Sequence, residues 1–128
     1  MNDRQRLENV FEQICGATRT CALDNWTCCQ SCGHAEAEDY LRTSGDGDEP
    51  WWDGYVFWHW QDDEHSFDRE GDLAGPLYLA YSDRNAAQTA IRWLSASGFD
   101  CDWSGDECHR VKVTANNTVA GLPGAPRL

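Results

Sequence analysis

Tyr55-Val56-Phe57-Trp58-His59-Trp60 is the stretch from which the fold is read. Every residue except His59 is β-branched or aromatic, so the segment predicts a strand. On that strand Tyr55, Phe57, His59 and Gln61 face one way, and Val56, Trp58, Trp60 and Asp62 face the other. Leu77-Tyr78-Leu79-Ala80-Tyr81 reads as a second strand. Between them, Gln61 to Gly75 is a polar, glycine-containing connection, long enough for a hairpin with a large loop.

Helices are expected on both sides of this pair. Upstream, Leu7, Val10, Phe11 and Ile14 recur at helical spacing and predict a helix over 3–15, with Gly16 as its stop. A loop then runs through Asp24, Asn25 and Trp26. A shorter helix begins at Gln30 or Ser31, carries Ala35, Ala37, Tyr40 and Leu41, and ends by Gly45. Asp46 to Asp53 reads as a loop. Downstream, Ser82 or Asp83 caps a third helix whose buried face is Ala86, Ala87, Ala90, Ile91 and Leu94, closed by Gly98. Phe99 to Trp103 and Val111 to Thr114 are two further strands around a turn at Ser104 to Glu107. The order α-α-β-β-α-β-β argues for an α+β fold: a small, mainly antiparallel four-stranded sheet with helices on one face. A chain of 128 residues is read as one domain over 1–120, with a disordered tail over 121–128.

Charge and composition bound the partners. The net charge is −12, and ten of the acids fall between Asp46 and Asp72, where Arg69 is the only Lys or Arg. Such a field repels nucleic acid and anionic membrane, and it favours a basic protein or peptide, a cation, or solubility alone. No signal-peptide pattern and no membrane-spanning apolar run is read in the chain, which predicts a cytoplasmic protein with reduced thiols.

Four of the seven cysteines cluster in Cys21 to His34, and Cys29 and Cys32 form a C-x-x-C pair. Two thiolates at that spacing can share one tetrahedral metal, and the metal such donors take in a structural site is zinc. Further ligands are sought among Cys21, Cys28, His34 and His59, or in Cys108 and His109. The same spacing serves a redox disulfide or a reactive thiol, and the residues equally suit inert, packed thiols. His59, Asp62, Glu64 and His65 bring together the residue types of general acid–base work or of an N,O metal site; the alternative is a satisfied histidine before a solvated acidic loop.

The two motifs Thr27-Cys28-Cys29-Gln30-Ser31-Cys32-Gly33 and Gly54-Tyr55-Val56-Phe57-Trp58-His59-Trp60-Gln61-Asp62-Asp63-Glu64 occur together, followed by LYLAY and a later Gly98-Phe99 with Trp103. This pairing resembles an uncharacterised family of small bacterial proteins, a domain of unknown function, over about residues 5–115. The resemblance implies that Cys28, Cys29, Cys32, His59, Gln61, Asp62 and Glu64 are motif positions, and it carries no activity. Cys101, Cys108 and the high tryptophan content depart from the pattern.

Trp51, Trp52, Trp58 and Trp60 are too many for one small core face. Exposed tryptophan rimmed by acids is the anatomy of a protein-binding patch. The expected function is therefore that of a small acidic binding protein, of immunity or inhibitor type by class analogy. Its surface would be Trp51, Trp52, Trp58, Trp60, Asp62, Asp63 and Glu64, with the cysteines structural. The competing expectation is a metal- or thiol-dependent enzyme or sensor built on Cys28, Cys29, Cys32 and His59. The residues leave the oligomeric state open.

Overall fold

The computed structural model describes residues 2–27, 29–43, 51–106 and 109–115. In chain order the elements are α1 (Asp3–Ala17), β1 (Thr20–Leu23), α2 (Gln30–Thr43), β2 (Gly54–Phe57), α3 (Trp60–Ser66), β3 (Leu77–Tyr81), α4 (Arg84–Ala96), β4 (Phe99–Asp102) and β5 (Val111–Ala115). The fold is α+β, but the sheet has five strands in the order β1-β2-β3-β5-β4. It is mixed: β1 runs parallel to β2, with Cys21 opposite Tyr55, and the other pairs are antiparallel.

Two elements correct the sequence reading. The first is β1, which was expected to be loop. It has only four residues and is buried at Thr20, Cys21 and Ala22, so it shows no alternation. Its strand state comes from the parallel ladder with β2, a long-range pairing with no local signature. The second is α3. The predicted strand 55–60 ends at Phe57, and His59 becomes an extended N-cap whose Nδ1 accepts from Asp62 N–H at 3.4 Å. Asp62 and Asp63 then occupy the first turn, where carboxylates favour the helix dipole.

The expected helices are present. Asn2 and Gln5 form a capping box on α1, and Leu7, Val10, Phe11 and Ile14 are buried as the periodicity requires. Gly16 does not stop this helix, which runs on to Ala17. Asp83 caps α4 by accepting from Ala86 N–H at 2.9 Å, and Gly98 turns the chain at φ +97°. The expected tail 121–128 and the acidic segment 46–50 lie outside the described residues.

Helices cover both faces of the sheet, not one. α1 and α4 pack with Val56, Leu77, Leu79, Val111 and Val113 in the larger core. On the opposite face Ala37 of α2 packs with Cys21, Tyr55, Phe57 and Ala80. The alternation read in the strand is therefore realised, Val56 and Trp58 to one core and Tyr55 and Phe57 to the other. Gly33 lets α2 approach: a Cβ there would collide with Cε1 and Cζ of Phe57.

Candidate functional site

After β2 the chain stays beside the segment that leaves β1. Trp58 N–H donates to Leu23 O at 3.4 Å, Trp26 N–H to Trp58 O at 2.7 Å, and Trp60 N–H to Thr27 O at 3.0 Å. This near-ladder holds 23–27 against 58–60 and brings Trp26 and Trp60 to one edge. The turn needs left-handed backbone at Asn25 (φ 48°) and Thr27 (φ 53°). For a β-branched residue such as Thr27 this is strained, on the order of 1–3 kcal/mol. The strain persists because the backbone bonds on both sides fix it.

An aromatic strip results. Trp60 Nε1–H donates to Asn25 O at 3.0 Å, and Trp26 Nε1–H donates to Gly33 O at 3.2 Å. The Trp26 ring meets Tyr40 edge-on at 6.1 Å between centroids. Tyr40, Trp51 and Trp60 are 44%, 57% and 53% exposed, the large apolar side chains among the described residues that face solvent most. Trp52 is half-buried against the Cys21–Phe57 core. Asp24, Glu36, Glu38, Asp39, Asp53 and Glu64 are exposed. On α2 the one base, Arg42, is bound to Asp39.

The other predicted binding residues sit elsewhere. Trp58 is fully buried, in contact with Phe11 at 4.8 Å and Phe67 at 6.1 Å between centroids, which corrects its expected surface role. Its Nε1–H donates to Asp63 Oδ1 at 2.9 Å. Asp63 also takes a two-pronged bond from Arg4, and Asp62 Oδ2 takes Arg110 Nη1–H at 2.8 Å. Both acids point into internal ion pairs, so neither is a free surface charge. His59 is buried, with Nε2 at 3.2 Å from Asp62 Oδ2 and Nδ1 accepting from Asp62 N–H. This network is complete with the proton on Nε2. His59 thus closes the start of α3, the satisfied-histidine alternative of the sequence reading. Arg110 also lies over the Tyr78 ring at 5.0 Å.

The cysteines divide. Cys29 immediately precedes α2, its carbonyl accepting from Gly33 N–H at 2.9 Å, and Cys32 is exposed in the first turn, as expected. Cys28 and Cys108 lie outside the described residues. Cys21 is buried in β1 and its thiol meets Cys15, not the C-x-x-C pair. His34 turns inward: its Nδ1 is 2.7 Å from the Tyr55 hydroxyl, which is 3.4 Å from a Glu38 carboxylate oxygen. Burial pushes the His34 pKa down, against the opposing pull of Glu38. Burial, then the Glu38 charge, pushes the Tyr55 phenol up to about 12. Among the described residues no three His, Cys, Asp or Glu side chains come together as a metal would require.

Sequence reasoning missed Trp26, Tyr40, Arg110 and Cys15. Tyr40 was legible: Gly33, Ala37 and Leu41 recur every fourth residue, and Tyr40 falls off that stripe. Arg110 and Cys15 reach their partners only through the fold. A cavity of about 200 Å³ lined by Leu73, Ala74, Gly75, Pro76, Thr114 and Ala115 holds no titratable side chain. Among the described residues no helix is long and apolar enough to cross a membrane.

Over residues 1–117 the chain matches the family described as a domain of unknown function (DUF6891), and it belongs to that family. No curated protein and no solved structure matches it.

Proposed function

We propose that this protein binds a basic segment of a partner protein through the aromatic strip of Trp26, Tyr40 and Trp60, with Trp51 as a further exposed anchor. The observation that carries this reading is the exposure of Tyr40, Trp51 and Trp60 beside a carboxylate-rich helix. Flat aromatic faces take Arg and Lys by cation–π contact, and Trp and Tyr dominate interface energetics. The net charge of −12 sets the sign of the partner and speeds its encounter. Asp62 and Asp63, engaged internally, serve the scaffold, and Glu64 remains available. An inhibitor-like or immunity-like role fits this chemistry. Nucleic acid and anionic membrane do not.

The test is a titration of the purified protein with Arg-rich and Glu-rich 12-residue peptides, followed by tryptophan fluorescence. The Arg-rich peptide binds, weakens with salt, and loses about tenfold in affinity on Trp60→Ala, as for loss of one aromatic anchor. Equal response to both peptides, or an unchanged affinity in Trp60→Ala and Tyr40→Ala, refutes the reading.

One observation supports a second reading, a thiol- or zinc-dependent centre at Cys28, Cys29 and Cys32. Cys29 and Cys32 flank the first turn of a 14-residue helix, where the dipole favours a thiolate. Against it, His59 is occupied by Asp62 and does not join these thiols among the described residues. Elemental analysis with a thiol count before and after chelation separates the two. About one zinc per chain, with three thiols released, favours the second.

A further inference from the structure

Cys15 lies in the last turns of α1, and the chain returns beneath it as β1, the edge strand of the sheet. Its sulfur accepts from Ala22 N–H at 3.2 Å and lies 3.4 Å from Ala22 O. The Cys21 thiol hydrogen-bonds the same sulfur. The two cysteines differ in access: Cys21 is 2% exposed, and Cys15 is half-buried. They differ in acidity as well. Donation from Cys21, with a smaller contribution from Ala22, holds the Cys15 thiol down at about 6. Burial, Asp24 and Glu12 oppose that shift, and the Cys21 thiol is pushed up.

We propose that Cys15 and Cys21 are a hydroperoxide-reactive dithiol, with Cys15 the attacking thiolate and Cys21 the resolving thiol. Cys15 S⁻ attacks one peroxide oxygen. The O–O bond breaks, an S–O bond forms, and the departing hydroxide or alkoxide takes a proton from water. Cys15 is now a sulfenic acid, oxidised by two electrons, and the peroxide is reduced by two. Cys21 sulfur then attacks Cys15 sulfur. The S–S bond forms, the S–O bond breaks, and hydroxide leaves with the Cys21 proton as water. Sulfurs already in hydrogen-bond contact need only close to about 2.05 Å. The product ties the end of α1 to β1. The reactive thiol is the accessible one and the resolving thiol is shielded, which is the order this sequence of steps requires.

Digestion reads the outcome without ambiguity. Trypsin and an Asp-specific protease together place Cys15 on residues 7–19 and Cys21 on residues 20–23, apart from Cys28, Cys29 and Cys32. After a few equivalents of hydrogen peroxide at pH 7, then iodoacetamide, the wild-type protein yields these two peptides linked and two hydrogens lighter than their sum. Cys21→Ala yields Cys15 sulfenic acid, trapped by dimedone, with Cys15 oxidised about tenfold more slowly because its thiolate is less favoured. Cys15→Ala leaves Cys21 unmodified. Recovery of both peptides separately alkylated while the 28–32 thiols are oxidised overturns the proposal, as does oxidation of Cys21 in Cys15→Ala. Should a variant fail to fold by circular dichroism, the wild-type linkage alone decides.

Discussion

Arg4 grips Asp63 with both prongs of its guanidinium, Nη1–H to Oδ1 at 2.8 Å and Nη2–H to Oδ2 at 2.6 Å. The pair joins the start of α1 to α3. Asp63 also accepts the indole N–H of the buried Trp58, and Arg4 lies over the Phe67 ring at 4.5 Å. Removing the carboxylate therefore strands a buried donor as well as breaking the ion pair. Asp63→Ala should cost about 2–3 kcal/mol in urea unfolding. Arg4→Ala, which leaves Asp63 its indole partner and some solvent, should cost about 1 kcal/mol. Equal costs for the two would show that the indole bond contributes nothing.

Gly33 tests how closely α2 approaches the sheet. Helix propensity alone favours Ala there by about 1 kcal/mol. The added methyl would meet the Phe57 ring, and overpacking costs about 1–3 kcal/mol. The second effect is larger, so Gly33→Ala lowers Tm, and Phe57→Leu in that background recovers part of the loss. A raised Tm in Gly33→Ala would contradict the packing.

Much of this architecture was legible, and the exceptions share a cause. The buried stripes of α1 and α4 and the strand LYLAY follow from local periodicity and caps, and all three are where the residues place them. The segment β1 has no such signal, because its strand state is conferred by β2 about 34 residues away, as in the Thr20–Gly54 pair. In α3 the aromatic run hid a helix start: His59 is an uncommon N-cap, and only the acids at 62 and 63 marked the first turn. At the site, the sequence supplied the exposed Trp51 and Trp60. It could not tell that Asp62 and Asp63 are engaged, because Arg4 and Arg110 lie 59 and 48 residues away.

Alkaline stability should be limited by buried weak acids. Tyr55 is raised from 10.0 to about 12 by burial and Glu38, and Cys101 from 9.0 to about 11 by burial. The unfolded chain loses these protons first, so the folded state binds more protons in the interval. Stability therefore falls as pH rises, from about 9 for Cys101 and about 10 for Tyr55, until each folded value is passed. Tyr55→Phe should flatten the fall between pH 10 and 12, measured by urea midpoints. His34 acts at the other end. Its lowered value means the unfolded chain protonates first, so its contribution is lost as pH drops below 6.5. An unchanged alkaline slope in Tyr55→Phe would show that the phenol is solvated.

Two tryptophans of one short segment should behave oppositely. Trp58 is fully buried between Phe11 and Phe67, whereas Trp60 is 53% exposed and held by a single indole bond to Asn25 O. Trp58→Ala empties the core and should cost about 3–5 kcal/mol. Trp60→Ala should cost about 1 kcal/mol or less, the net value of that bond and a little area. Acrylamide gives a second readout, because it quenches by contact. Trp60→Phe should lower the accessible fraction of the emission, and Trp58→Phe should raise it. If Trp60→Ala destabilises as much as Trp58→Ala, the indole of Trp60 is part of the core. It would then not be the exposed anchor that binding a basic partner requires.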